Sequence, residues 1–208
     1  LSVMLREAKH GYQLNRSTSG KVNHLLYMDD LKLYGSNKSQ LESLVQTVRI
    51  FTQDIRMRFG IQKCATIVLK RGKKEADDGI LLPDGEMMKD LGDEGYKYLG
   101  VLEASEIKTK EMKEKVRSEY TRRVKLLLES KLNGGNVIKA INTWAVAVLR
   151  YSGGILDWTQ DELKCIDRKT RKLMTINRAL HPRANVARLY LPRNEGGRGL
   201  RSAEETVR

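Results

Sequence analysis

The segment HLLYMDDLKLYG (residues 24–35) constrains the fold more than any other stretch. Two hydrophobic, β-prone runs, Val22 to Met28 and Leu31 to Tyr34, are separated only by Asp29 and Asp30. So short a break predicts an antiparallel hairpin with the aspartates at its tip. Aspartate is a common turn residue whose side chain bonds local backbone. Asp77-Asp78, in the polar loop KKEADDGI, reads as that ordinary, solvated use. The first pair has hydrophobic flanks instead, Leu25 to Met28 before it and Leu31 and Leu33 after it, which predict buried strands holding both carboxylates in place. Adjacent carboxylates repel unless a cation or a proton compensates.

The rest of residues 1–103 alternates strand-like and helical patterns, as an α+β fold does. Leu41, Leu44, Val45, Val48, Phe51, Ile55 and Phe59 recur at helical spacing, with Ser39 and Glu42 as a capping box and Gly60 as the stop. CATIVLK (64–70) reads as a strand, RGKKEADDG as a polar loop, ILLPDGEMM as a hairpin around Pro83-Asp84-Gly85, and YKYLGVL (96–102) as one strand. Residues 104–180 read as three helices. Their apolar faces run through Val116, Tyr120, Val124, Leu127 and Leu128; through Val137, Ile138, Ile141, Trp144, Ala145, Val148 and Leu149; and through Leu163, Ile166, Leu173 and Met174 behind a Thr159–Glu162 capping box. Gly134-Gly135 and Gly153-Gly154 fall between them, which suggests a small helical bundle. Residues 181–208 continue as a basic connection, and Ser202–Glu205 is a capping box with few residues after it. Both ends read as cut, so a piece of a longer polypeptide is expected.

Charge divides the chain unevenly: residues 1–103 carry a net +2 and residues 104–208 a net +11. Such an excess points to an acidic partner, most simply nucleic acid. No signal-peptide pattern or long apolar run occurs, so the expected setting is intracellular, with no membrane partner. Cys64 and Cys165, a hundred residues apart, read as buried small hydrophobes. Mg²⁺ is a hard cation commonly held by one or two carboxylates plus substrate phosphates. Two such ions about 3.5–4 Å apart stabilise both the attacking and the leaving oxygen of an in-line phosphoryl displacement. A basic chain carrying Asp29-Asp30 is thus a candidate nucleotidyl transferase.

YMDD at 27–30 resembles the active-site box of reverse transcriptases, and further segments extend the likeness in order. FGIQKC (59–64) is similar to the glycine–lysine–cysteine segment of the non-LTR retrotransposon enzymes, and YKYLG (96–100) resembles their primer grip. AINTWAVAVLRYSGGILDW (140–158), DRKTRKLMT (167–175) and LHPRANVARLYLPRNEGGRGL (180–200) look like the thumb and the region after it. The resemblance covers essentially all 208 residues. It implies the C-terminal part of a polymerase palm over 1–103, a thumb over 104–180 and a post-thumb connection over 181–208. The implied activity is RNA-directed DNA synthesis with two Mg²⁺ ions, an RNA template, a DNA primer and deoxynucleoside triphosphates. Asp29 would be a direct metal ligand and Asp30 a more peripheral one. Lys63 would lie near the incoming nucleotide, Tyr27 and Met28 near the primer terminus, and Tyr98, Leu99 and Gly100 in the primer grip.

In the helical part, Arg122, Arg123, Lys125, Arg168, Lys169, Arg171 and Lys172 are the candidate contacts to a nucleic-acid backbone, with Asp167 the only close acid of the second cluster. The family has a third essential aspartate on an upstream strand, and Glu7 is the only acid in residues 1–26. Residues 1–208 alone are therefore expected not to polymerise. Templated synthesis by the purified chain with Mg²⁺, abolished by Asp29→Ala, would contradict this. The alternatives are a non-catalytic nucleic-acid-binding remnant of a retroelement and an unrelated metal nuclease.

Overall fold

A computed structural model describes residues 1–14, 20–57, 60–82, 85–92, 95–104 and 106–207. The fold is mixed α+β and divides into two compact units, Leu1–Ile107 and Lys108–Arg208. Every sheet among the described residues is a two-stranded antiparallel one.

In the first unit α1 (Ser2–Glu7) is followed by β1 (Tyr12–Gln13), which pairs with β2 (Lys21–Val22). β3 (His24–Tyr27) and β4 (Asp30–Leu33) form the expected hairpin. Its register pairs Tyr27 with Asp30, so the loop is Met28-Asp29, one residue earlier than the aspartate pair, and Asp30 opens β4. This register puts His24 on the same face as Leu33, where its ring bonds the Ser2 hydroxyl of α1 at 3.0 Å. Met28 has φ 55, a left-handed conformation that a two-residue hairpin loop demands and that glycine usually supplies. The expected burial of the strands is not found: Leu25, Leu26 and Tyr27 are 47%, 42% and 58% exposed, because among the described residues β3 has β4 as its one strand neighbour.

α2 (Lys38–Asp54) buries Leu44, Val45 and Val48 as the spacing predicts. Its cap is Asn37, whose side chain accepts from the Gln40 N–H, rather than a Ser39–Glu42 box. The helix also stops well before Gly60: Arg56 takes φ 58 and Ile55 is exposed, while Phe59 lies outside the described residues. A short 3₁₀ turn, Ile61–Lys63, leads to β5 (Val68–Lys70), which pairs with β6 (Lys73–Glu75) inside the stretch expected to be a loop. Arg71 and Gly72 both have positive φ, the signs of a type I′ turn. β7 (Ile80–Leu81) and β8 (Met87–Met88) form the hairpin expected there, although Pro83 and Asp84 lie outside the described residues. The 96–102 run is a hairpin rather than one strand: β9 (Tyr96–Tyr98) turns at Leu99-Gly100, again with both φ positive, into β10 (Val101–Glu103). Two clusters knit the unit together, one of Val45, Ile80, Leu82 and Met88, the other of Leu5, Leu44 and Val48.

The second unit is helical. α3 (Thr109–Leu128) buries Met112, Val116, Tyr120 and Val124. α4 (Gly134–Ala140) passes through a π turn, Ile141–Ala145, into α5 (Val146–Gly153). Gly134 and Gly135 are thus the first helical residues, capped by Asn133, rather than a separating turn. The π turn presents Asn142 to the chain end, where its amide donates to the Gly199 carbonyl at 2.7 Å and accepts from the Arg201 N–H at 2.9 Å. α6 (Gln160–Ile176) is followed by α7 (Val186–Tyr190) and α8 (Ala203–Val207). Cys64 is half-buried, but Cys165 is exposed because it falls on the polar side of α6, away from Leu163 and Ile166.

The Thr159–Glu162 capping box of α6 is present as expected. Glu162 also accepts from Lys113 at 2.7 Å and Arg117 at 2.8 Å, tying α6 to α3, and both cations lie over the Trp158 ring. Burial opposes ionisation of Glu162, but the Lys113 ammonium and the Thr159 N–H outweigh it and hold the carboxyl at about 2. The native state therefore keeps the charge where the unfolded chain, at its ordinary 4.5, takes up a proton. That stabilisation is complete above pH about 4.5 and is lost as pH falls from there toward 2. Glu162→Gln, which keeps a capping side chain but removes the charge, is expected to cost about 1.5 kcal/mol at pH 7. Urea titrations from pH 7 to pH 3 check this, since the variant's stability should fall less steeply with acid.

Candidate functional site

Strand alternation sorts β4 into two faces. Leu31 and Leu33 pack on Leu5, Leu44 and Val48, which leaves Asp30 and Lys32 on the opposite face. There the β9–β10 hairpin meets them. Lys32 Nζ pairs with the Glu103 carboxylate and lies 5.1 Å from the centre of the Tyr98 ring and 6.0 Å from that of Tyr34. Burial pushes the Tyr96 and Tyr98 phenols up, and the Asp30 carboxylate adds to the shift of both. Asp30 on β4 and Tyr96 and Tyr98 on β9, far apart in sequence, are thus close enough to interact electrostatically.

Asp29 and Asp30 are both exposed, and among the described residues neither carboxylate has a hydrogen-bond or ion-pair partner. Asp77, expected to be merely solvated, instead accepts from Lys38 Nζ at 2.9 Å and from the Gly79 N–H at 3.0 Å. That contrast separates the two dipeptides: one carboxylate is spent on local structure, while the pair at 29–30 keeps its lone pairs open. Two free, adjacent carboxylates fit the oxygen preference of Mg²⁺. They do not by themselves complete a shell, and among the described residues no three His, Cys, Asp or Glu side chains gather as a metal cluster.

The remaining candidates of this unit are placed as follows by the fold. Tyr27 faces the same side as Asp30, its cross-strand partner, and is exposed; Met28 is 82% exposed at the loop. Tyr98 is buried, and Leu99 and Gly100 form the tip of their hairpin. Lys63 is exposed at the end of its 3₁₀ turn, and the adjoining Cys64 is a further influence on Tyr96. Lys32 and Glu103 are the residues that sequence reasoning missed. The position of Lys32, two residues after Asp30 on a strand, was the available signal, whereas the Glu103 partnership is a long-range contact with none.

In the second unit the seven basic candidates separate by what holds them. Arg122 and Arg123 both donate to Glu119, whose carboxyl they hold at about 2. Arg123 also donates to the Trp144 carbonyl at 2.9 Å and stacks over the Trp144 ring. Arg171 donates to the Tyr190 hydroxyl at 2.9 Å. Lys125, Arg168, Lys169 and Lys172 are exposed, with no described partner. Asp167 is not a neutralising surface acid: it is buried and its Oδ1 accepts from the Ala203 N–H at 2.8 Å, capping α8. Asp161 and Glu204 are brought beside Lys164, Arg168 and Arg171 instead, lining a cleft of ≈ 550 Å³.

Comparison with family models, with curated proteins and with solved structures finds no match to this chain. Among the described residues, no helix is long and apolar enough to cross a membrane.

Proposed function

We propose that this chain is the C-terminal palm and thumb portion of a reverse transcriptase of the non-LTR retrotransposon type, an RNA-directed DNA polymerase. The observation that supports it best is the meeting of the Asp29-Asp30 hairpin with the 96–103 hairpin, since these two segments carry the resemblance independently. Asp29 and Asp30 would hold Mg²⁺, which supplies charge stabilisation at the attacking and leaving oxygens. Tyr98, Leu99 and Gly100 would hold the primer strand against that pair, with Tyr27 and Met28 beside its terminus. Lys63 would offset charge on the incoming nucleotide. Exposed cations of the second unit would follow the phosphates of the RNA–DNA duplex in a way indifferent to sequence.

Primer extension tests the proposal, using residues 1–208 joined to the fingers and first palm strand of an enzyme of this type. Templated DNA synthesis that requires Mg²⁺ and Asp29 is the expected result. Duplex binding with neither synthesis nor cleavage would favour the non-catalytic remnant. Metal-dependent strand cleavage without templated synthesis would favour a nuclease.

A further inference from the structure

The Lys32 ammonium has two carboxylates to choose between and is paired with only one of them. Asp30 lies two positions away on the same face of β4, within reach of a flexible four-carbon stem. The ammonium nevertheless sits with Glu103, 71 residues away in sequence, over the Tyr98 ring and beside Tyr34. Lys32 and Glu103 are each about two-thirds buried at this contact, so the pair is partly shielded from water. Were the ammonium to turn to Asp30 it would cancel half the charge of the Asp29-Asp30 pair, and a divalent cation would then have to displace it.

From this geometry we infer that Glu103 is a positioning residue that holds Lys32 off Asp30 and so keeps both carboxylates of the pair open to a divalent cation. Tyr98 assists, because an ammonium over an aromatic face is held there by the ring quadrupole. The inference rests on the proposal that Asp29 and Asp30 bind metal, and it adds a regulator of that site drawn from the second hairpin. It differs from simple attraction of the cation by a third nearby negative charge: the effect of Glu103 runs through Lys32 and disappears without it.

Mn²⁺ titration of the 208-residue chain, followed by paramagnetic broadening of the amide signals of Met28 to Leu31, tests this. Glu103→Gln is expected to weaken Mn²⁺ binding about fivefold. Lys32→Met is expected to bind at least as well as the unaltered chain, and the double variant Lys32→Met/Glu103→Gln to return to that level. The double variant also guards against misfolding, because a loss caused by a disrupted hairpin would persist in it. Equal weakening by Glu103→Gln with and without Lys32, or no weakening at all, overturns the inference while leaving the metal site standing. Failure of the unaltered chain to show Mn²⁺ broadening at these amides overturns both.

Discussion

If Asp29 and Asp30 hold the metal as proposed, Asp29→Asn in residues 1–208 joined to the fingers and first palm strand of a non-LTR reverse transcriptase is expected to lower templated primer extension by about 10³-fold while leaving the melting temperature and RNA–DNA binding unchanged. The separation follows from what Asp29 touches. It occupies the second loop position of a two-residue hairpin, is exposed, and has no hydrogen-bond or ion-pair partner among the described residues. An isosteric amide therefore removes charge without removing any contact that the fold uses. A carboxylate that serves only as a turn residue would show no loss of extension. Asp30→Asn should do less damage to catalysis and more to the local structure, since Asp30 opens β4 beside Tyr96 and Tyr98. Steady-state extension rates, duplex affinity and thermal unfolding of the two variants check the contrast.

What could be read from the sequence tracks how local the cause is. The 24–34 hairpin was legible because two β-prone runs separated by a dipeptide allow little else, but its register, with the loop at Met28-Asp29, accompanies the packing of Leu31 and Leu33 on Leu5, Leu44 and Val48, which is tertiary. The α2 face was legible from spacing. Its end was not, because Arg56 takes the left-handed conformation usually signalled by glycine. Leu99-Gly100 hid a turn for the same reason: Leu99 and the aromatic residues before it read as continuous strand. The Thr159–Glu162 box was fully local and is present as read. The basic clusters were legible as charge but not as availability, since Glu119 and Tyr190 engage three of the seven side chains.

If the second unit binds nucleic acid as proposed, that sorting sets the salt dependence to be expected. Each phosphate neutralised releases condensed counterion, and log K falls with log salt with a slope of about −0.9 per contact on duplex. Seven available cations would predict a slope of about −6. Four remain exposed and without a described partner, Lys125, Arg168, Lys169 and Lys172, because Arg122, Arg123 and Arg171 are already engaged. The expected slope is therefore about −3.6, a loss of about 10²-fold in affinity for an RNA–DNA duplex between about 50 and 200 mM salt. Arg168, Lys169 and Lys172 share one helix face by their three- and four-residue spacing, so they can meet phosphates of one backbone together. Replacing all three with Gln should make the slope shallower by about 2.7, whereas Arg122→Gln should scarcely move it. Fluorescence-anisotropy titrations at several salt concentrations give both slopes. Binding indifferent to salt would argue against phosphate contact altogether, whereas a larger change from Arg122→Gln than from the α6 triple variant would place that contact away from the α6 face.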